Sequence, residues 1–162
     1  MGLAIESKKG QETVHQEIKM LKYIEKCWNV KIKITDKKKP IPHDGIIIKN
    51  NKIIGIFESK NRQFTLYKLE KFGSWLITYE KLEKCRLIAK KMKIPLYGFL
   101  GIEHSNLIMF WKIADENGNY LFNFEHYYSY TQDTCEGGDA YRDNAFLPLE
   151  FGKLIQPNQK FE

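Results

Sequence analysis

The sequence has 162 residues, of which 43% are hydrophobic and 14% aromatic, and this is enough for one domain with a single core. Its 26 Lys and Arg residues against 20 Asp and Glu give a formal net charge of +6, which suits polyanionic partners such as nucleic acid. No apolar stretch approaches the ~20 residues of a membrane-spanning helix and no hydrophobic leader opens the sequence, so we expect no association with a membrane.

Three widely separated cysteines, Cys27, Cys85 and Cys135, bear on the compartment. Their odd number and the lack of a Cys-x-x-Cys pair argue against a disulfide framework and against a structural zinc site. The sequence therefore predicts a protein of the reducing cytoplasm.

The first part of the chain predicts one helix and three strands. Apolar residues recur at helical spacing from about 11 to 28, which indicates an amphipathic helix. The segment NVKIKIT alternates apolar and basic residues as a half-exposed strand does. After a loop rich in Pro and Lys, DGIIIK and KIIGIFESK indicate two apolar strands joined by a tight turn at Asn50 and Asn51.

The middle of the chain predicts a helix and a buried strand. The secondary structure of residues 63–73 is ambiguous from their pattern, whereas the pattern over 74–93 predicts a helix that ends before Pro95. The following segment PLYGFLGI indicates a strand buried on both faces.

Residues 106–131 predict a long β-hairpin that turns at Asn117 and Gly118. Alternation within it places six rings on one face, for which an aromatic core face is the favoured interpretation and a stacking platform for nucleobases the alternative. These residues are Tyr120, Phe122, Phe124, His126, Tyr128 and Tyr130.

We therefore expect one domain over residues 1–162. Its core covers about 11–102, and a C-terminal elaboration covers about 103–162, with a tail from residue 132 that is of mixed character.

Charged residues at the ends of the two apolar strands raise the question of function. Asp44 opens the first strand and Glu58 nearly closes the second, so antiparallel pairing brings the two carboxylates to one end of the hairpin. A two-residue loop alone would pair Asp44 with Phe57 and point Glu58 to the opposite face. A three-residue loop, or a bulge, would set Asp44 across from Glu58 and place Lys60 on the same face.

Two acidic side chains held together repel each other unless a cation lies between them. Carboxylate oxygens suit Mg²⁺, which keeps waters or substrate phosphates at its other positions. A lysine two residues after Glu58, Lys60, can approach a metal-bound water or a phosphate oxygen. This constellation suits hydrolysis of a phosphodiester.

The segments PHDG, with Asp44, and ESK, with Glu58 and Lys60, resemble the signature of the PD-(D/E)xK nuclease superfamily. A helix precedes them and a helix and strand follow, so the resemblance covers residues 11–102. It implies an α/β, restriction-endonuclease-like and Holliday-junction-resolvase-like core. Such a core has a four-stranded mixed sheet flanked by helices in the order αβββαβ, here with a C-terminal β-hairpin added.

The resemblance also implies a Mg²⁺ or Mn²⁺ ion held by the carboxylates of Asp44 and Glu58 and by the main-chain carbonyl of Ser59. Lys60 would orient or activate the attacking water. Here His43 separates the Asp from Pro42, but the family's Pro contributes no ligand.

Members of this superfamily often add a Glu from the first helix to the site. Glu12, Glu17 and Glu25 are the candidates, and Glu17 is chosen because it borders the apolar stripe of the helix.

Three further residues are candidates for contact with phosphate. Arg62 has a guanidinium that matches phosphate oxygens, Gln63 resembles a Gln-containing motif of one branch of the superfamily, and Lys38 lies in a basic loop. Ordinary solvated side chains are the competing interpretation for all three.

The sequence thus predicts a metal-dependent nuclease that hydrolyses DNA. The alternative is a nucleic-acid-binding module that keeps a nuclease-like fold without catalysis, and a third reading is an interaction protein whose basic charge is incidental. The Asp, Glu and Lys set favours the enzyme, because a pure binder has no need of two carboxylates where phosphate approaches. The oligomeric state stays open, with a homodimer as one option.

Overall fold

The computed structural model describes residues 8–36, 38–131 and 140–160, and side chains over 14–36, 38–130 and 141–160. This part of the chain contains three α-helices: α1 (Lys8–Trp28), α2 (Leu66–Phe72) and α3 (Tyr79–Met92). Its strands are β1 (Lys31–Ile34), β2 (Gly45–Lys49), β3 (Lys52–Arg62), β4 (Ser74–Thr78), β5 (Leu96–Ile102), β6 (Leu107–Ala114), β7 (Glu125–Thr131), β8 (Ala140–Pro148) and β9 (Lys153–Leu154). Of the helices described, none is both long and apolar enough to span a bilayer.

The fold is α/β with a mixed sheet, as expected, but the main sheet has six strands instead of four. Its order is β1-β2-β3-β5-β6-β9, with β3 and β5 parallel and the other neighbours antiparallel. The two extra strands, β6 and β9, come from the region expected to be an elaboration. They extend the sheet because β5 is buried along its whole length and its outer edge needs a hydrogen-bonding partner.

Two layers cover this sheet. Helix α1 packs on one face, where Ile24 and Trp28 meet Phe57 and Phe99 of the strands. The other face is covered by α3 and by a second sheet of three antiparallel strands in the order β4-β8-β7. The strand β3 therefore lies between two hydrophobic layers, as its apolar sequence predicts.

The hairpin of β2 and β3 has a two-residue loop and a bulge, and together these determine how the two strands are paired. Asn50 and Asn51 both have left-handed φ values, 52° and 63°, and form a two-residue loop closed by Lys49 opposite Lys52, so the three-residue loop does not occur. A bulge follows, because the register shifts by one residue after Ile47.

Beyond the bulge Gly45 pairs with Phe57, and Asp44 therefore lies across from Glu58. A Cβ atom at Gly45 would lie 2.5 Å from Phe57 Cζ and 2.6 Å from the Lys33 carbonyl oxygen, so glycine is required immediately after Asp44. The bulge thus achieves the same-face arrangement that a longer loop would have given.

The helix expected over 74–93 is shorter than predicted. Residues Ser74–Thr78 form β4, in which Trp75 and Ile77 are buried and the alternate residues are half-buried, and α3 begins only at Tyr79. The ambiguous segment before it contains α2. Gly73 caps the C-terminus of this helix with a left-handed backbone conformation.

The long hairpin expected over 106–131 does not form. Its turn exists, since the Asp115 carboxylate accepts the N–H groups of Asn117 and Asn119, each at 2.9 Å. However, β7 does not pair with β6. It pairs antiparallel with β8 in the second sheet instead. The partner of β7 is thus the strand that follows it in the chain, within the tail whose sequence pattern is mixed.

Candidate active site

Asp44 and Glu58 lie side by side in the interior. Only 7% of Asp44 and 1% of Glu58 is exposed. Both carboxylates face α3, because the side chain of Lys81 on that helix contacts each of them. The structure therefore brings together the two acidic residues that the sequence singles out.

Asp44 is anchored to the main chain of β3. The N–H of Ser59 donates to Asp44 Oδ2 at 2.8 Å. The N–H and the C=O of one strand residue point to the same side of the strand, so the Ser59 carbonyl also points toward the side on which Asp44 lies. Two carboxylates and this carbonyl are hard oxygen donors of the type that Mg²⁺ prefers.

Glu58 is held in a nearly dry environment. Its Oε2 lies 3.0 Å from Lys81 Nζ, and its Oε1 accepts from Cys85 Sγ at 3.6 Å. Burial and the neighbouring Asp44 charge raise the pKa of Glu58 to about 7, against the opposing effects of Lys81 and Lys60. The carboxylate therefore titrates close to neutral pH.

Lys81 is the residue that the sequence analysis missed. Its Nζ lies 3.0 Å from Glu58 and 3.5 Å from Asp44, so one ammonium forms an ion pair with each carboxylate. Burial lowers its pKa, but the two carboxylates outweigh this effect and raise the pKa above the ordinary lysine value. The lysine is therefore charged.

A signal for Lys81 does exist in the sequence. Lys81, Cys85 and Ala89 are spaced four residues apart and share one stripe of α3, on which Cys85 and Ala89 are fully buried. A lysine on a buried stripe indicates a partner of opposite charge. The burial of Cys85, followed by the charge of Glu58, raises the pKa of this thiol, so it is a neutral donor and not a nucleophile.

Lys60 shares a face of β3 with Glu58 but lies two residues nearer the C-terminal end of the strand. Its side chain is half-buried, and its charge favours the ionised form of Glu58.

Glu17 lies on the other side of the sheet. Its Oε1 accepts from Ser59 Oγ at 3.5 Å, and the Ser59 side chain points toward α1, away from Glu58 and Lys60. The strand β3 thus separates Glu17 from the pair of carboxylates. Of the other candidates, Glu25 accepts the Ile32 N–H at 2.7 Å, and the side chain of Glu12 lies outside the described residues.

The three phosphate-binding candidates lie outside the cluster. Arg62 is half-buried at the end of β3, and Gln63 follows it and is exposed. Lys38 is exposed in the loop after β1, where its N–H donates to Asp36 Oδ1 at 3.0 Å.

A cavity of about 410 Å³ opens onto this cluster. The loop between β1 and β2 and the start of α3 enclose it, and its lining includes Asp44 and three lysines, Lys39, Lys81 and Lys84. Glu58 lies behind Lys81 and is not among the described residues that line the cavity. The lining also includes the carboxylates of Asp36 and Glu80, so its three lysines face three acidic side chains.

The aromatic face divides into two parts. Tyr120, Phe122 and Phe124 pack against the core, as the favoured interpretation predicts. His126 stacks on Tyr79 with ring centroids 3.7 Å apart. Farther along β7, Tyr128 and Tyr130 are 62% and 71% exposed, and both contact the ring of Tyr141 on β8.

In the described residues, no group of three or more His, Cys, Asp or Glu side chains is arranged to hold a metal ion. The donor set that fits Mg²⁺ here consists of two carboxylates and one carbonyl. Comparison of the chain with protein-family models, curated proteins and solved structures returned no match.

Proposed function

We propose that this protein is a metal-dependent nuclease of the PD-(D/E)xK type, with a restriction-endonuclease-like core, which hydrolyses DNA phosphodiester bonds. The observation that carries the proposal is the burial of Asp44 and Glu58 side by side, on the face that also bears Lys60. Two adjacent buried carboxylates are costly to keep ionised, and the need to bind a cation explains their retention.

The residues take separate parts in this proposal. Asp44, Glu58 and the Ser59 carbonyl would hold a Mg²⁺ or Mn²⁺ ion, whose chemistry would be to activate a water and to polarise a phosphate. Lys60 contributes a positive charge near the attacking water or the developing negative charge. The Ser59 N–H fixes the orientation of Asp44 through its 2.8 Å hydrogen bond.

A DNA substrate is supported by the charge distribution. The net charge is +6, which favours association with a polyanion, and three lysines lie around the cavity beside Asp44 together with three carboxylates. Arg62, Gln63 and Lys38 are then candidates for contacts with phosphates away from the scissile bond.

A second candidate function is a nucleic-acid-binding module without catalysis. The position of Lys81 favours it, since its ammonium already pairs with both carboxylates. The two candidates differ in whether a divalent ion can replace this lysine.

The test is incubation of the protein with plasmid and with single-stranded DNA, in Mg²⁺ or Mn²⁺ against EDTA. The nuclease proposal predicts cleavage only with metal, and loss of cleavage in Glu58→Gln. The matched control is Glu80→Gln, because the Glu80 side chain lines the same cavity, is 76% exposed and pairs with Lys84 at 3.0 Å. A gel shift without cleavage selects the binding module, and neither result rejects both.

A further inference from the structure

Lys81 occupies the position that a divalent ion would take between the two carboxylates. Its Nζ lies 3.0 Å from Glu58 Oε2 and 3.5 Å from Asp44 Oδ1. Since both distances are within ion-pair range, the ammonium acts as a stand-in cation in the donor set that fits Mg²⁺.

Lys81 also stands between the cavity and Glu58. The cavity is lined by Asp44 and Lys81, whereas the Glu58 carboxylate lies behind the ammonium and is only 1% exposed. On this arrangement an ion in the cavity is in contact with Asp44 and Lys81, and Glu58 is reached past Lys81.

We propose that Lys81 is a displaceable counter-cation, which leaves the carboxylates when a divalent ion binds and moves to a phosphate of the DNA. This inference rests on the proposed nuclease function. It predicts that metal and DNA bind cooperatively, because each removes the obstacle to the other.

The physical reason is charge balance. An ammonium and a dication that share two carboxylates repel each other at close range in a site shielded from water. Lys81 is 33% exposed, and the cavity of about 410 Å³ beside it gives its flexible stem room to turn. A phosphate in that cavity replaces the carboxylates as its partner.

Lys84 provides a matched comparison on the same helix. It lines the same cavity, but its side chain is 60% exposed and its ammonium pairs with Glu80 at 3.0 Å. Removing Lys84 takes one positive charge from the cavity and leaves the position between Asp44 and Glu58 occupied.

The test is calorimetric titration of Mn²⁺ into the wild-type protein, Lys81→Met and Lys84→Met, each with and without a short cleavage-resistant phosphorothioate DNA duplex. In the wild-type protein, DNA should tighten Mn²⁺ binding by about 5- to 150-fold, the usual range of coupling between two ligands. Lys81→Met should bind Mn²⁺ more tightly without DNA and should lose most of this coupling. Lys84→Met should keep it.

Several outcomes overturn the proposal. One is a DNA-free Mn²⁺ affinity in Lys81→Met no higher than in the wild-type protein, and another is an equal gain of DNA-free Mn²⁺ affinity in Lys84→Met. If Lys81→Met does not fold, as judged by circular dichroism, Lys81→Gln is titrated instead, since it keeps a donor to the carboxylates.

The inference and the proposed function fail separately. Wild-type cleavage with unchanged Mn²⁺ affinity in Lys81→Met overturns the displacement and leaves the nuclease. If Lys81→Met binds Mn²⁺, the wild-type protein does not, and the wild-type protein does not cleave DNA, then Lys81 occupies the metal position but the nuclease proposal is overturned.

Discussion

The two faces of β3 use alternate residues of one strand for different purposes. Toward α1, Phe57 packs with the aromatic rings of the core, and Asn61 donates to Glu103 at 3.1 Å. Toward α3, Glu58 lies beside Asp44 and pairs with Lys81, which lines the cavity, and Lys60 is on the same face of the strand. The α1 face is organised for stability, whereas the α3 face holds concentrated charge that packing alone does not require.

The largest expected effect is the loss of metal binding when a carboxylate on the α3 face is removed. Glu58→Ala should abolish both divalent-ion binding and DNA cleavage, because one remaining carboxylate holds Mg²⁺ poorly. Calorimetry and a plasmid cleavage assay measure the two losses. Metal-dependent cleavage by Glu58→Ala at the wild-type rate would place the ion elsewhere.

Lys60→Ala should separate catalysis from metal binding. Losing one positioned charge should lower the cleavage rate by ~10²–10⁴-fold. Mn²⁺ affinity should stay equal or become tighter, since a positive charge near the site has gone. A wild-type cleavage rate in Lys60→Ala would end the nuclease assignment for this site.

A substitution on the α1 face should show the opposite pattern. Phe57→Ala should reduce the free energy of unfolding by about 3–5 kcal/mol, the usual cost of truncating a fully buried Phe. Below the unfolding temperature the remaining folded protein should still bind Mn²⁺. Denaturant titration and calorimetry on the same sample check both statements, and lost Mn²⁺ affinity in the folded fraction would contradict the separation of the faces.

The pH dependence of stability should report the buried Glu58. Its carboxyl stays protonated in the folded protein up to about pH 7, whereas in the unfolded chain it ionises near 4.5. The folded state thus binds the extra proton in this window, so the free energy of unfolding should fall by roughly 3 kcal/mol as pH rises through it. Urea titrations in EDTA should show this slope in the wild-type protein and a flatter profile in Glu58→Gln.

The smallest effect concerns Glu17. Because its contact with Ser59 Oγ is 3.5 Å long and lies on the α1 face, Glu17→Gln should slow cleavage less than about tenfold, below the range for a positioned catalytic group. A loss as large as that of Lys60→Ala would instead show that Glu17 reaches the reaction through the edge of the sheet.

Local pattern predicts much of the fold because several elements are defined by their own residues. Helix α1 ends at Trp28 as expected, and β5 is buried throughout. The six-stranded sheet was not predictable in this way, since β9 pairs with a segment about forty positions earlier through only two residue pairs, Met109 with Leu154 and Phe110 with Lys153. β4 was missed because Trp75 and Leu76 also fit the helical spacing of the residues after them.

The candidate site shows the same limit. Asp44 and Glu58 could be brought together from sequence, because antiparallel pairing fixes which ends meet. Lys81 could not, because its position depends on where α3 begins and on which side of the helix docks against the sheet. Contacts between distant elements therefore decided the electrostatics of the site.

The most direct test of the central claim is anomalous scattering from crystals soaked in Mn²⁺. We predict one strong peak coordinated by Asp44, Glu58 and the Ser59 carbonyl, with Lys81 Nζ moved into the cavity. A protein that cleaves DNA with Mn²⁺ but shows no peak between these carboxylates, and keeps Lys81 bound to both, would contradict the account.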